Sequence, residues 1–136
     1  MIKDVILSIH PKWAKLIYEG KKLIEWRKTY PKLALRGCRV YLYETAPVKA
    51  VTGYFLFQGT FGMDVKEHES YPRAVEDGCV PLEDLVKYQG KSERIHGWFV
   101  RNQQRFEIPR TLWSVTGLRR PPQSWQYIHY NTEKNK

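Results

Sequence analysis

The sequence predicts an α+β fold, a small and mostly antiparallel β-barrel or strongly curled sheet with two or three helices packed outside it. Three observations point there. Segments of period-two apolar alternation are short and numerous, whereas stretches of helical period are too few to cover both faces of a parallel sheet. Hydrophobic residues make up 42% of the 136 residues and aromatics 14%, a globular composition able to bury a core without disulfides or metal. No internal repeat or linker-like run interrupts the chain, so residues 1–130 are expected to form one domain and residues 131–136 a frayed tail.

Taken in order, Asp4 to Ile9 alternates as a first strand, with Val5, Leu7 and Ile9 toward the core and Ile6, Ser8 and His10 on the other side. Pro11 suits the first helical position, where its missing N–H has no bond to lose. Trp13, Leu16 and Ile17 recur at i, i+3 and i+4, with Lys12, Lys15 and Glu19 outside the stripe, and Gly20 ends the helix. From Leu23 to Arg27 the period returns to two, with Leu23, Glu25 and Arg27 on one face and Ile24, Trp26 and Lys28 on the other. Tyr30 to Gly37 reads as a basic loop. Cys38 to Glu44 alternates again, and Val51 to Phe57 is rich in aromatic and β-branched residues, so both are strands.

The acidic stretch Asp64 to Asp77 has poor periodicity and reads as a loop with a helical piece. Pro81 to Tyr88 is a helix burying Leu82, Leu85 and Val86, closed by Gly90. Ile95 to Val100 and Glu107-Ile108 look like strand pieces joined by a polar Asn102-Gln103-Gln104 turn, and Leu112 to Leu118 like a last strand. Arg119-Arg120-Pro121-Pro122 must be extended, because proline disfavours helix in the residue before it. Trp125 and Tyr127 are expected to tuck that segment down.

The net charge of +9 is polarised: +7 over residues 1–50, −4 over 51–90 and +6 over 91–136. Basic surface interleaved with aromatics points to nucleic acid, since phosphates need cations and bases stack on rings. No apolar run is long enough to span a membrane, and the N-terminus lacks the pattern of a secretion signal. Cys38 and Cys79 are far apart with no CxxC, which suits free thiols in a reducing cytoplasm. His10, His68, His96 and His129 are scattered, and Asp64, Glu67 and His68 read as a solvated acidic face. Neither metal nor cofactor is expected. Ser8 has no GxSxG context for a serine hydrolase.

The stretch with the most chemistry is Gly20 to Lys28, in which five of nine residues are charged. Glu25 and Arg27, two apart on one strand face, can share a hydrogen-bond network and meet a ligand inside a barrel. Solvated charges on an edge strand are the plain alternative. Lys22 and Glu25 are three apart and can meet only if Lys22 belongs to the preceding turn. Together they would perturb each other's protonation and serve acid–base chemistry, or hold a phosphate and a base amino group. Arg27 would bond a phosphate bidentately or orient Glu25. The candidate ligand-binding residues are Ser8, His10, Lys12, Lys22, Glu25, Arg27 and Tyr43. Lys15, Lys21, Lys28 and Arg39 would guide a nucleic-acid backbone.

A strand ending Leu7-Ser8-Ile9-His10-Pro11, a short helix, and then Gly20-x-Lys22-x-x-Glu25-x-Arg27 resembles the ASCH domain of the PUA-like superfamily. Val40 to Tyr43, Val51 to Phe55 and the Arg120 to Trp125 ending are also similar. The resemblance implies a five- or six-stranded barrel with flanking helices and a cleft beside the motif. It further implies RNA or a nucleoside as the ligand, bound by a basic cleft around the motif. The alternative it carries is a small hydrolase on the same ligands, an N4-acetylcytidine amidohydrolase or a ribonuclease. In the amidohydrolases a lysine, a threonine and a glutamate act together. Lys22 matches the lysine, Glu25 occupies the threonine position, and Glu76 or Asp77 would supply the carboxylate. If the protein is an enzyme, Lys22 and Glu25 are its catalytic candidates.

Overall fold

The computed structural model describes residues 3–130, and the tail expected at 131–136 lies outside the described residues. Six strands form one mixed, curled sheet: β1 (Val5–Ile9), β2 (Ile24–Arg27), β3 (Arg39–Glu44), β4 (Ala50–Met63), β5 (Ile95–Arg110) and β6 (Trp125–Tyr127), in the order β2-β5-β4-β3-β1-β6. Among the described residues β1 and β3 pair in parallel, and the other four pairings are antiparallel. The crossover that a parallel pair requires is supplied by α1 (Pro11–Tyr18) and β2.

Inside the curl, Leu7, Val40, Leu42, Phe55, Trp98 and Val100 pack against Ala14 and Ile17 of α1. On the opposite face, Ile6, Tyr41, Tyr43 and Val51 are covered by Leu112 and Ile128. The start of β2 and the ends of β4 and β5 form a third layer, in which Ile24, Trp26, Met63 and Ile95 pack with Leu85. Two further helices roof that layer, α2 (Pro72–Gly78) and α3 (Leu82–Gln89), preceded by a 3₁₀ segment (Val65–Ser70). Covering both faces explains why all five residues of β1 are buried, Ile6 and Ser8 included.

Two segments differ from the sequence reading, and on α3 Val86 is exposed where the helical stripe predicts it buried beside Leu85. Asn102-Gln103-Gln104 makes no turn, because β5 runs unbroken from Ile95 to Arg110. The long β4 pairs with it at both ends and between, from Val51↔Arg110 to Met63↔Ile95. Register shifts absorb the irregularity, and Asn102 takes a left-handed conformation at φ 53°. The polar residues that suggest a turn lie instead on a largely solvated stretch of ladder.

Leu112 to Leu118 is not a strand either: residues Leu112–Thr116 form a helix, α4. Thr111 caps it by accepting the Ser114 N–H at 3.1 Å, and Gly117 closes it at φ 74°. Leu112 and Thr116, four apart, are its buried residues. Removing the cap by Thr111→Ala is expected to cost about 1 kcal/mol, read as a lower urea midpoint with unchanged slope. An unchanged midpoint would mean that the helix is held by packing alone.

Trp125 anchors the C-terminal segment as expected. β6 pairs with β1, and the Trp125 indole donates to Thr29 Oγ1 at 2.9 Å while meeting Trp98 edge-on.

Candidate functional site

Gly20, at φ 76°, lets the chain leave α1, and the Lys21 and Lys22 N–H groups both bond back to the Leu16 carbonyl. This tight reversal removes Lys22 from strand periodicity. β2 begins only at Ile24, so Lys22 and Glu25 can converge despite their odd spacing. Inside the curl, Glu25 lies opposite Trp98 and Arg27 opposite His96.

Glu25 is nearly fully buried and sits between two cations. Its Oε2 accepts both Arg27 Nε at 2.9 Å and Arg27 Nη2 at 2.7 Å, while Oε1 is 3.3 Å from Lys22 Nζ. Burial pushes the carboxyl up, but Arg27 and Lys22 together outweigh it and hold the group below the ordinary carboxylate range. Lys22, only 1% exposed, donates to the Gly78 carbonyl as well, and its Nζ lies 5.1 Å from the Trp13 ring centroid. Arg27 also donates to the Ser8 carbonyl at 2.7 Å and to Ser124 Oγ at 3.1 Å. It thereby ties β2 to the end of β1 and to the C-terminal segment, and holds Glu25 in one orientation.

This cluster forms one wall of a cleft of about 410 Å³, which Glu25 and Arg27 line together with Trp13 of α1 and with Val80, Asp84 and Tyr88 on or beside α3. Burial pushes the Tyr88 phenol up, with the Arg27 charge pulling the other way.

Lys12 and Lys28 stand at the rim, their Nζ atoms 4.7 Å and 5.3 Å from the Trp13 and Tyr88 ring centroids. Ser8 contributes its backbone carbonyl, and its hydroxyl donates to the Pro122 carbonyl at 2.6 Å. His10 is exposed and caps α1, its Nδ1 accepting the Lys12 N–H at 3.1 Å. Lys21 is paired with Glu19 at 3.6 Å. Lys15 lies beside a separate concavity with Tyr18, Glu44 and Arg105. Tyr43 belongs to the cluster on the opposite face of the sheet. Arg39 stacks 4.3 Å from the Tyr54 centroid and donates to the Tyr41 hydroxyl. The structure thus gathers Lys22, Glu25 and Arg27, with Lys12 and Lys28 beside them, and leaves Tyr43, Arg39 and Lys15 elsewhere.

The residues implied for the helical middle are displaced in role. Glu76 is exposed, and Asp77 engages β2 through its backbone carbonyl, which accepts the Leu23 N–H at 2.8 Å. The helical acid that does line the cleft is Asp84, which the sequence reading did not single out. Its spacing of four from Tyr88 was the available signal, since both then share one face of α3. Ser124 had no such signal, being 97 residues from Arg27.

Residues 7–110 match the ASCH domain. The chain belongs to the ASCH domain family. A relative, the ASCH domain-containing ribonuclease of Zymomonas mobilis, is 28% identical over 129 residues, spanning 93% of this chain and 84% of that protein. The crystal structure of ASCH from Zymomonas mobilis superposes with a TM-score of 0.80 at 26% identity, covering 98% of this chain and 91% of that one. A serine-to-alanine mutant from the same organism gives a TM-score of 0.81 at 24% identity, covering 98% and 93%. The ASCH fold is therefore shared over nearly the whole chain. Among the described residues no helix is long and apolar enough to cross a membrane.

Proposed function

We propose that this ASCH domain binds RNA, taking one nucleobase into the cleft beside Lys22, Glu25 and Arg27. The observation that carries the reading is the buried Glu25, ion-paired with Arg27 and Lys22 on the wall of an aromatic-lined cleft. A base would stack on Trp13 or Tyr88, and Glu25 Oε1 would accept a hydrogen bond from its amino group. Lys12 and Lys28 would attract the flanking phosphates. The 28% identity to a protein named a ribonuclease supports RNA as the ligand class.

That same relative favours a second reading, RNA cleavage in the same cleft. Cleavage needs a proton acceptor at the attacking hydroxyl and positive charge beside the phosphate, and Glu25 with Lys22 and Arg27 offers both residue types. Removal of an acetyl group from a base is less well supported, since Glu25 stands at the threonine position and is held by Arg27.

The test is titration of a labelled single-stranded RNA at increasing salt. If three phosphates are neutralised, log K should fall with a slope of about −2 against log salt, so that binding weakens roughly 20-fold from 50 to 200 mM. Trp13→Ala should weaken binding roughly tenfold. Affinity that ignores salt, or no affinity, would overturn the binding reading. The cleavage reading is tested by following the RNA by mass with wild type and Glu25→Gln, and turnover retained in the variant would overturn it.

A further inference from the structure

The outer face of β2, β5 and β4 carries a second concavity of about 440 Å³, bounded by α2. Phe61, Tyr71 and Phe99 line it as one run of rings. The Phe61 centroid is 5.3 Å from Phe99 and 6.3 Å from Tyr71, the latter pair stacked at 23°. Tyr71 is 38% exposed, and Phe61 and Phe99 are only partly buried, so the run is open to solvent. Arg73 and Arg101 flank it, with the Arg101 guanidinium 5.6 Å from the Phe99 centroid. Among the described residues neither arginine has an acidic partner.

This groove abuts the cleft through consecutive residues. Ile24 lines the groove and Glu25 the cleft, on opposite faces of β2. Asp77 lines the groove, and the next residue, Gly78, holds Lys22. The two concavities therefore lie on opposite faces of β2, an edge strand of the sheet.

We infer that the groove is a second subsite for single-stranded RNA, stacking a base that flanks the nucleotide in the cleft. The inference rests on the proposed function and extends it to a second nucleotide. A run of open rings suits bases of any sequence, because every base has a stacking face. The Arg73 and Arg101 guanidinia, neither with an acidic partner among the described residues, match the phosphate between the two bases. Arg101 Nη1 is steadied by the Val100 and Leu23 carbonyls. Paired bases in a duplex could not reach the rings, which selects a single strand. The groove is lined by two arginines against one acid, Asp77, which also favours a polyanion over a neutral apolar peptide.

The experiment compares a labelled octanucleotide with a mononucleotide on wild type, Tyr71→Ala, Arg73→Ala and Arg101→Ala. Tyr71→Ala should weaken the octanucleotide roughly tenfold and leave the mononucleotide unchanged. Each arginine variant should lower the octanucleotide's salt slope by about 0.7. Wild-type octanucleotide affinity and slope in all three variants would overturn the subsite and leave the groove to a protein partner or a second copy of the chain. No RNA binding by wild type would overturn the proposed function, and this inference with it.

Discussion

Glu25→Ala is expected to destabilise the fold by about 3–5 kcal/mol, the usual loss when one member of a buried ion pair is removed. The reason is what remains behind. Lys22 stays 1% exposed with the Gly78 carbonyl as its acceptor, and Arg27 loses two of its hydrogen bonds. Urea titration should show a lower midpoint with an unchanged slope, the signature of lost stability rather than altered compactness. Glu25→Gln keeps an acceptor oxygen for Arg27 and should lose less.

The comparison of wild type with Glu25→Gln also has a pH dependence of fixed sign. The folded carboxyl titrates below its unfolded value of about 4.3. The folded state therefore binds fewer protons, and the stability this group contributes is fully present above the unfolded value. It is lost as pH falls through the folded value, so the gap between wild type and Glu25→Gln should narrow on acidification. A gap constant from neutral pH to well below 4 would show that the charge contributes nothing and that only shape was lost.

The local chemistry of this site was legible in the sequence because its residues are close in the chain. Period-two alternation put Glu25 and Arg27 on one face, and Gly20 marked the turn that lets Lys22 join them. Distant partners left no trace. Ser124 reaches Arg27 from the far end of the chain, and the Gly78 carbonyl is a backbone group that no residue type announces. The same division runs through the fold. Strand positions could be read from alternation, but the unbroken β5 follows from pairing with the similarly long β4, a tertiary effect that overrides the polar residues Asn102 to Gln104. α4 was missed for a different reason, since Thr111 and Gly117 do carry capping chemistry but bracket only five residues.

Gly78→Ala is the second large effect expected, about 3 kcal/mol, at the upper end of overpacking losses. A Cβ at Gly78 would lie 2.2 Å from Trp26 Nε1 and 2.8 Å from its Cδ1. The indole is 5% exposed and meets Phe61 edge-on at 5.5 Å, so it has little room to retreat. Any shift of the Gly78 backbone to relieve the clash would also move the carbonyl that holds Lys22, coupling helix packing to the ion pair. Thermal unfolding should therefore show a lower midpoint, and RNA affinity should fall with it. The double variant Gly78→Ala/Trp26→Phe separates the two causes. If the clash with the indole dominates, the smaller ring should make the pair less destabilised than the sum of the two singles by 1 kcal/mol or more, a coupling usual for residues in contact. Strict additivity would instead place the damage in the displaced carbonyl and Lys22. A Gly78→Ala protein as stable as wild type would mean that α2 can rise off β2, and that the Lys22 and Glu25 pair does not depend on α2 for its position.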